Sequence, residues 1–340
     1  MVSALVFGGS GQLGGAVAER LLASGWKVSV VTRGGRRPRQ AVIGGAAMLL
    51  DGTRKSRAAM IGALDRPVDA VFDPTAYDEA DAADLLEARA RFGSLVTVSS
   101  ASVYANPAGQ SLVSASRSGR SNASGPISEE APIVDAGPAS YATRKAALER
   151  RLLAAEIPVS ILRSCAVYGR QSTHPREWWF IKRALDGRKA IPVAYDAESV
   201  FHTSSARGLA DLTRICMDNP GARILNVADS NAPSIKEIAA AITDATSLKL
   251  PLAPFAGAPI GPAHVGSTPW SSENPLVLDT SRGRRLGWEG SDYHHDVQDV
   301  CNWVLDVSRH GDWRAQFSRF SHYGYDPFDY GAEDRALASL

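Results

Sequence analysis

Residues 6–17 read VFGGSGQLGGAV, an apolar run that breaks into glycines and then resumes with apolar positions at helical spacing. The glycines stand as Gly8-x-x-Gly11-x-x-Gly14, overlapped by Gly9-x-Gly11-x-x-Gly14. Between a strand and a helix, such glycines let the backbone turn tightly and approach a pyrophosphate. The helix that follows offers free N–H groups and the positive end of its dipole. The pattern alone is common, but its context here is the required one. VSALVF (2–7) reads as a buried strand, and Leu13, Val17, Leu21 and Leu22 mark one face of a helix over 12–24. Gly8, Gly11, Gln12, Leu13 and Gly14 therefore form a candidate dinucleotide cradle.

Working outward, WKVSVVTR (26–33), AAMLLDG (46–52), DAVFDPT (69–75), GSLVTVSS (93–100), PVSILRS (158–164) and ARILNVAD (222–229) read as further strands. Helical stretches separate them. Strands alternating with helices predict an α/β protein whose parallel sheet is buried on both faces and joined by right-handed crossovers. Residues 105–126, ANPAGQSLVSASRSGRSNASGP, are rich in Ser, Gly, Ala and Pro and predict a flexible loop. The stretch SHYGYDPFDYGAED (321–334) is aromatic and aperiodic, and reads equally as a docked tail or an interface arm.

A chain of 340 residues that is 44% hydrophobic predicts roughly two domains with sizeable cores. The formal net charge of +1 argues against broad electrostatic binding of nucleic acid or acidic membranes. Cys165, Cys216 and Cys301 lie far apart without a C-x-x-C pair, which predicts reduced thiols in a cytoplasmic protein. The chain enters an apolar run at once, so no signal peptide is expected, and no apolar stretch is long enough to span a bilayer.

The end of the second strand bears on which dinucleotide is bound. An NAD site usually places an acidic residue there for the ribose diol, whereas this chain has Thr32-Arg33 followed by GGRRPR (34–39). Arg33, helped by Arg36 or Arg37, would attract a 2′-phosphate and can bond it bidentately. The expectation is NADP(H), with NAD(H) second.

SYATRK (140–145) places Tyr141 and Lys145 one helical turn apart on a shared face. A phenol with a pKa of about 10 is a poor base at neutral pH. A lysine ammonium at ~4 Å and an effective dielectric of ~20 favours the phenolate by about 4 kcal/mol, before desolvation opposes it. Such a tyrosine can move a proton on or off a substrate oxygen while hydride moves at the carbon. VTVSSASVY (96–104) ends the fifth strand at its carboxyl end, where open parallel sheets bind ligands, and a serine there can orient the same oxygen.

The N-terminal glycines, VTVSSASVY, YATRK and ILRSCAVYG (161–169) occur in the order and approximate spacing of a known group. From about residue 2 to residue 305, including RILNVAD (223–229) and LDTSRGRRLGW (278–288), the chain resembles the extended short-chain dehydrogenase/reductase superfamily, in its NAD-dependent epimerase/dehydratase branch. The resemblance implies a Rossmann-type doubly wound parallel sheet with a smaller C-terminal substrate-binding domain. By that likeness, residues 1–170 and 201–229 would bind the cofactor, 171–200 and 230–305 the substrate, and 306–340 would be a tail. Tyr141 would be the acid/base, Lys145 would hold the nicotinamide ribose and tune Tyr141, and Ser100, before Ser99, would be the catalytic hydroxyl. Asp51 and Gly52 would meet the adenine. Pro74, Thr75 and Ala76 would line the cofactor path, and Ser164, Cys165 and Ala166 would pass the nicotinamide. The family's habit is a homodimer.

The likeness thins at the substrate. IPVAYDAESVFHTSSARGLADL (191–212) lacks the arginine that grips a nucleotide diphosphate and has serine in place of the usual aspartate. THPREWWFIKRAL (173–185) begins a substrate lid, with Trp178 and Trp179 either stacking on a ring or packing as core. Arg176 and His202, along with His174, are the remaining candidate substrate contacts. The adjacent His294-His295 pair lacks metal-ligand spacing, so no metal is expected.

Three functions follow. The first is an NADP(H)-dependent oxidoreductase interconverting a secondary alcohol and a ketone on a small polar metabolite. The second is a sugar or nucleotide-sugar epimerase or dehydratase with transiently reduced cofactor, though SSASVY (99–104) carries no acidic pair for water loss. The third is a non-catalytic RNA-binding relative of the fold, against which the near-zero charge weighs.

Overall fold

Strand β1 (Ser3–Phe7) shows how the sheet is seated. Side chains alternate across a strand, so Ala4 and Val6 join Val17, Val28 and Leu209 in one core while Leu5 and Phe7 join Leu85, Leu148 and Leu152 in another. The computed structural model describes residues 2–32, 38–46, 48–51, 56–117 and 125–340, with the backbone alone at Met48, Leu49, Asp51 and Arg117.

The strands that continue from β1 are β2 (Lys27–Thr32), β3 (Met48–Asp51), β4 (Val68–Asp73), β5 (Phe92–Ser100) and β6 (Val159–Ser164). The chain then adds β7 (Ala166–Tyr168), β8 (Ile191–Val193), β9 (Thr203–Ser205), β10 (Arg223–Val227) and β11 (Leu252–Pro254). Between them run α1 (Gln12–Ala23), α2 (Gln40–Gly45), α3 (Arg57–Gly62), α4 (Glu79–Glu87), α5 (Leu112–Arg117), α6 (Tyr141–Leu153) and α7 (Trp178–Leu185). The later helices are α8 (Ala206–Asp218), α9 (Ile235–Thr246), α10 (Ser281–Arg285), α11 (Tyr293–His310), α12 (Trp313–Gln316) and α13 (Tyr330–Leu337).

The main sheet has seven strands in the order β10-β6-β5-β4-β1-β2-β3, every pairing parallel. Helices α1 and α8 cover one face, α4 and α6 the other. This is a doubly wound Rossmann-type sheet, and the chain reverses direction across it between β1 and β4. In such sheets ligands bind at the carboxyl ends beside that reversal.

A third core lies beyond the sheet, around Trp178, Trp179, Phe180, Ile238, Trp270 and Val300. Burying each such side chain contributes about 1.5–3 kcal/mol. The tail belongs to this core. Trp313 and Phe317 pack on Trp178 with ring centroids 5.3 and 5.6 Å away. Arg183 of α7 donates to the carboxylate of Glu333 in α13 at 2.5 Å and to Pro327 O at 2.6 Å, both charged groups being buried. SHYGYDPFDYGAED is thus a docked segment.

The Ser-rich stretch 105–126 departs from the loop expected there. Residues Leu112–Arg117 form α5, because Leu112 and Ala115, three apart, reach one buried surface. Ser116 O accepts from Glu273 N at 3.1 Å, which ties α5 to a distant segment of the chain. Residues 118–124 lie outside the described ones. Among the described residues, no helix is long and apolar enough to cross a membrane.

Candidate active site

The glycine turn joins β1 to α1. Gly8 has φ +68, a left-handed conformation that favours glycine, and its carbonyl accepts from Gly11 N at 2.8 Å. A Cβ at Gly14 would stand 2.3 Å from Gly8 O, so only glycine allows the helix to start this close to the turn. Gly11 caps α1 without any side-chain acceptor, leaving first-turn N–H groups around Gln12, Leu13 and Gly14 open to a phosphate. The cradle fits a dinucleotide pyrophosphate. Gln12 itself donates to Gly169 O at 3.4 Å, joining the cradle to the end of β7.

Thr32 ends β2, half-buried and in register with Asp51 of β3. Arg33, Arg36 and Gly52 lie outside the described residues, as does the Asp51 side chain. The one described arginine of that basic run, Arg39, donates to Gln171 Oε1 at 3.0 Å and pairs with Glu19.

At the end of β4, buried Asp73 holds the next turn. It accepts from Thr75 N at 2.7 Å, Thr75 Oγ1 at 2.6 Å and Ala76 N at 3.1 Å, and pairs with Arg57. Pro74, Thr75 and Ala76 are thereby fixed beside Gly8, where a Cβ would meet the Thr75 methyl at 2.9 Å.

Helix α6 begins at Tyr141 because Ser140 caps it: Ser140 Oγ accepts from Thr143 N at 3.2 Å, and Thr143 Oγ1 accepts from Ser140 N at 2.9 Å. Behind the helix, Arg163 of β6 grips Glu149 with two bonds of 3.1 and 2.6 Å, both residues buried. This clamp sets the height of Tyr141 against the sheet. Lys145, only 4% exposed, donates from Nζ to Ala76 O at 2.6 Å and Val98 O at 2.8 Å. Two of its three donors thus stitch the exits of β4 and β5 to α6.

Lys145 Nζ stands 6.0 Å from the centre of the Tyr141 ring. Ser100, at the tip of β5, accepts from Ser102 N at 3.1 Å and lies close enough to Tyr141 for hydrogen bonding to pull the phenol pKa down. Ser99 is buried and, by strand alternation, on the opposite side, so the position belongs to Ser100. The three groups converge at the carboxyl edge of the sheet.

Their protonation differs from what the spacing alone suggests. The sequence predicts a phenol lowered by its lysine, yet the Tyr141 pKa is raised. Burial around the hydroxyl end is the largest cause, although 44% of the residue is open. Tyr77 also raises it, while Ser100 and the positive charge of Arg319 lower it. Burial also dominates at Lys145, lowering its pKa to about 8 against the opposing pull of Asp73 and Asp81. Desolvation is the largest cause of both shifts.

Ser164 sits opposite Ser100 across the β5–β6 register and donates to Ser99 O at 3.4 Å. Cys165 is half-buried, its N–H bonded to Ser204 Oγ at 3.0 Å, and Ala166 N donates to His202 O at 3.0 Å. The candidate substrate contacts fare differently. Trp178 and Trp179 are in the core, because the α7 face that carries them packs against the docked tail. His202 is buried between Asp229 O and Leu278 N, its pKa lowered to about 4 by that burial, which makes it a structural link and not a substrate contact. Arg176 donates to Val167 O at 2.7 Å, holding the exit of β7.

Five residues at or behind the site escape a reading of the sequence. Asp73 has a signal, an acid closing an apolar strand. Tyr77, whose ring lies 5.6 Å from that of Tyr141, directly follows Pro74–Ala76. The Arg163–Glu149 clamp and Arg319 have none, being contacts between distant segments.

An open seven-stranded parallel sheet with this glycine turn and a Ser-Tyr-Lys cluster at its carboxyl edge defines the extended short-chain dehydrogenase/reductase class. Within that class the chain belongs to the NAD-dependent epimerase/dehydratase family, whose model matches residues 4–228. A comparison with curated proteins finds no match. Among solved structures, a dTDP-glucose 4,6-dehydratase from Bacillus anthracis in complex with NAD superposes with a TM-score of 0.67 at 16% identity, over 92% of this chain and 99% of that one. A UDP-glucose 4-epimerase from Stenotrophomonas maltophila with NAD and a formylated UDP-arabinopyranose gives 0.67 at 17%, over 91% and 99%. The epimerase from Thermus thermophilus in complex with NAD gives 0.65 at 20%, over 89% and 98%. At such identities the likeness is one of fold.

Proposed function

We infer that this chain is a nicotinamide-dependent enzyme of the epimerase type, acting on a secondary alcohol of a sugar or sugar derivative. The observation that carries the reading is the convergence of Ser100, Tyr141 and Lys145 beside a glycine cradle and an uncapped helix. When bound, the oxidised dinucleotide supplies a hydride acceptor and a positive charge. Tyr141 takes the hydroxyl proton as the alcohol carbon becomes a ketone, and gives it back on reduction. Ser100 holds the reacting oxygen, and Lys145 supports the phenolate that burial disfavours. Gln12, Leu13 and Gly14 would hold the pyrophosphate, and Ala76 and Ser164 would flank the nicotinamide. NAD leads because the related structures above contain it. Ser100-Ala101-Ser102 carries no carboxylate for water loss, which counts against a dehydratase.

A second reading is an NADP(H)-dependent reductase of a small polar metabolite. One feature favours it: TRGGRRPR (32–39) has no carboxylate after β2. The two are separated by supplying NAD or NADPH with a panel of sugars, following reduced nicotinamide by absorbance and sugar stereochemistry by NMR. Epimer formation without net change in reduced cofactor is expected. Stoichiometric consumption of NADPH would transfer the protein to the second reading.

A further inference from the structure

Tyr141 is the first residue of α6, and 44% of it is open. A helical side chain ordinarily lies over the turn that precedes it. At the first position that turn is missing, so the phenol must find its support elsewhere. The support on the page is Tyr77, whose ring is tilted 47° to that of Tyr141 with centroids 5.6 Å apart. The Arg144 guanidinium, one turn along α6 on the same face, stands 5.6 Å from the centre of the Tyr77 ring. Arg144 is itself pinned, donating from Nε to Pro138 O at 2.8 Å. The Tyr77 ring therefore meets the first turn of α6 at two side chains.

Tyr77 sits on a braced stretch of chain. Its N–H donates to Asp81 Oδ2 at 2.6 Å, one residue after Ala76 N donates to Asp73 Oδ1 at 3.1 Å. Arg57 joins the two carboxylates, pairing with Asp73 through Nε and with Asp81 through its terminal nitrogen. It also donates to Thr75 Oγ1 at 3.3 Å. The same stretch accepts from Lys145, whose Nζ lies 2.6 Å from Ala76 O. Two adjacent residues thus touch both members of the acid/base pair, Ala76 through its carbonyl and Tyr77 through its ring. Lys145 would keep its place by its own two bonds. The Tyr141 ring has rotational freedom about its side-chain bonds that only packing removes.

We propose that Tyr77 is a positioning residue, its ring locking the Tyr141 phenol in the orientation that meets Ser100 and the reacting oxygen. The inference rests on the acid/base reading of Tyr141 given above.

One readout needs no substrate. In protein labelled with fluorotyrosine, the fluorine NMR signal of Tyr141 is assigned by its absence in Tyr141→Phe. That signal should titrate at lower pH in Tyr77→Leu, where water reaches the phenol, and return towards the wild-type midpoint in Tyr77→Phe. The second readout is turnover with NAD and the sugar panel above. Tyr77→Leu should lower kcat ~10- to 100-fold with KM held within ~3-fold, and Tyr77→Phe should recover most of that loss. In the Tyr141→Phe background, Tyr77→Leu should cost almost nothing more, because the ring acts through the phenol. Should Tyr77→Leu not fold, Asp81→Asn weakens the brace with both rings in place, and its kcat loss should likewise vanish in Tyr141→Phe. An unchanged Tyr141 titration, a wild-type kcat, or an equal loss in both backgrounds would overturn the proposal. Full turnover in Tyr141→Phe alone would sink the acid/base reading instead.

Discussion

Tyr141 and Lys145 share a helix face, and burial moves their pKa values in opposite directions, up for the phenol and down to about 8 for the ammonium. At neutral pH the isolated protein therefore holds Tyr141 as an acid and Lys145 still charged. Tyr141→Phe removes only the hydroxyl, so turnover should fall about a hundred- to ten-thousand-fold while cofactor affinity is retained, as read by single-turnover kinetics and cofactor titration. Lys145→Ala should damage both. It also leaves Ala76 O and Val98 O without their donor, at about 1–3 kcal/mol each, which denaturant unfolding would register as a loss of stability even without ligand. At this scale the pairing was legible, since spacing on a helix is local. The sign of the phenol's shift was not, because it depends on Tyr77, Ser100 and Arg319, which arrive from other parts of the chain.

At the scale of elements, the buried carboxylate of Asp229 joins the end of β10 to β9. It accepts from Thr203 Oγ1 at 2.6 Å and Ser205 N at 3.1 Å. Burial, only partly offset by these bonds, raises its pKa from 3.8 to about 6. A carboxyl raised on folding stabilises the fold fully below its unfolded pKa, and that contribution is lost as pH rises through the folded value. Stability from this group should thus decline from about pH 4 to pH 6, by about 3 kcal/mol in all. Asp229→Asn should flatten that slope in urea midpoints measured across the same range. The seven strands of the main sheet were readable from apolar runs and lie within two residues of their expected ends, while the three-residue β7, β8, β9 and β11 were not. Helix α5 was not either, because its buried apolar residues, Leu112 and Ala115, stand in a short stretch among serines, one of which, Ser116, is itself buried.

Across the whole molecule, the tail is held by a buried pair. Arg183→Met would leave Glu333 charged and enclosed, a loss of about 3–5 kcal/mol, and the tail should become open to protease while the sheet stays folded. The double change Arg183→Met with Glu333→Leu should recover most of that loss. Limited proteolysis followed by mass spectrometry reads both.

Periodicity and glycine chemistry act over a few residues, and so the strands, the dinucleotide turn, the helix bearing Tyr141 and the family likeness were determined by the sequence itself. The fates of Trp178, Trp179 and His202 were decided only by tertiary structure, because burial depends on which distant segment covers a residue. The same holds for Arg319, which neither spacing nor composition connects to Tyr141. Only folding of the tail against α7 brings its charge to the phenol.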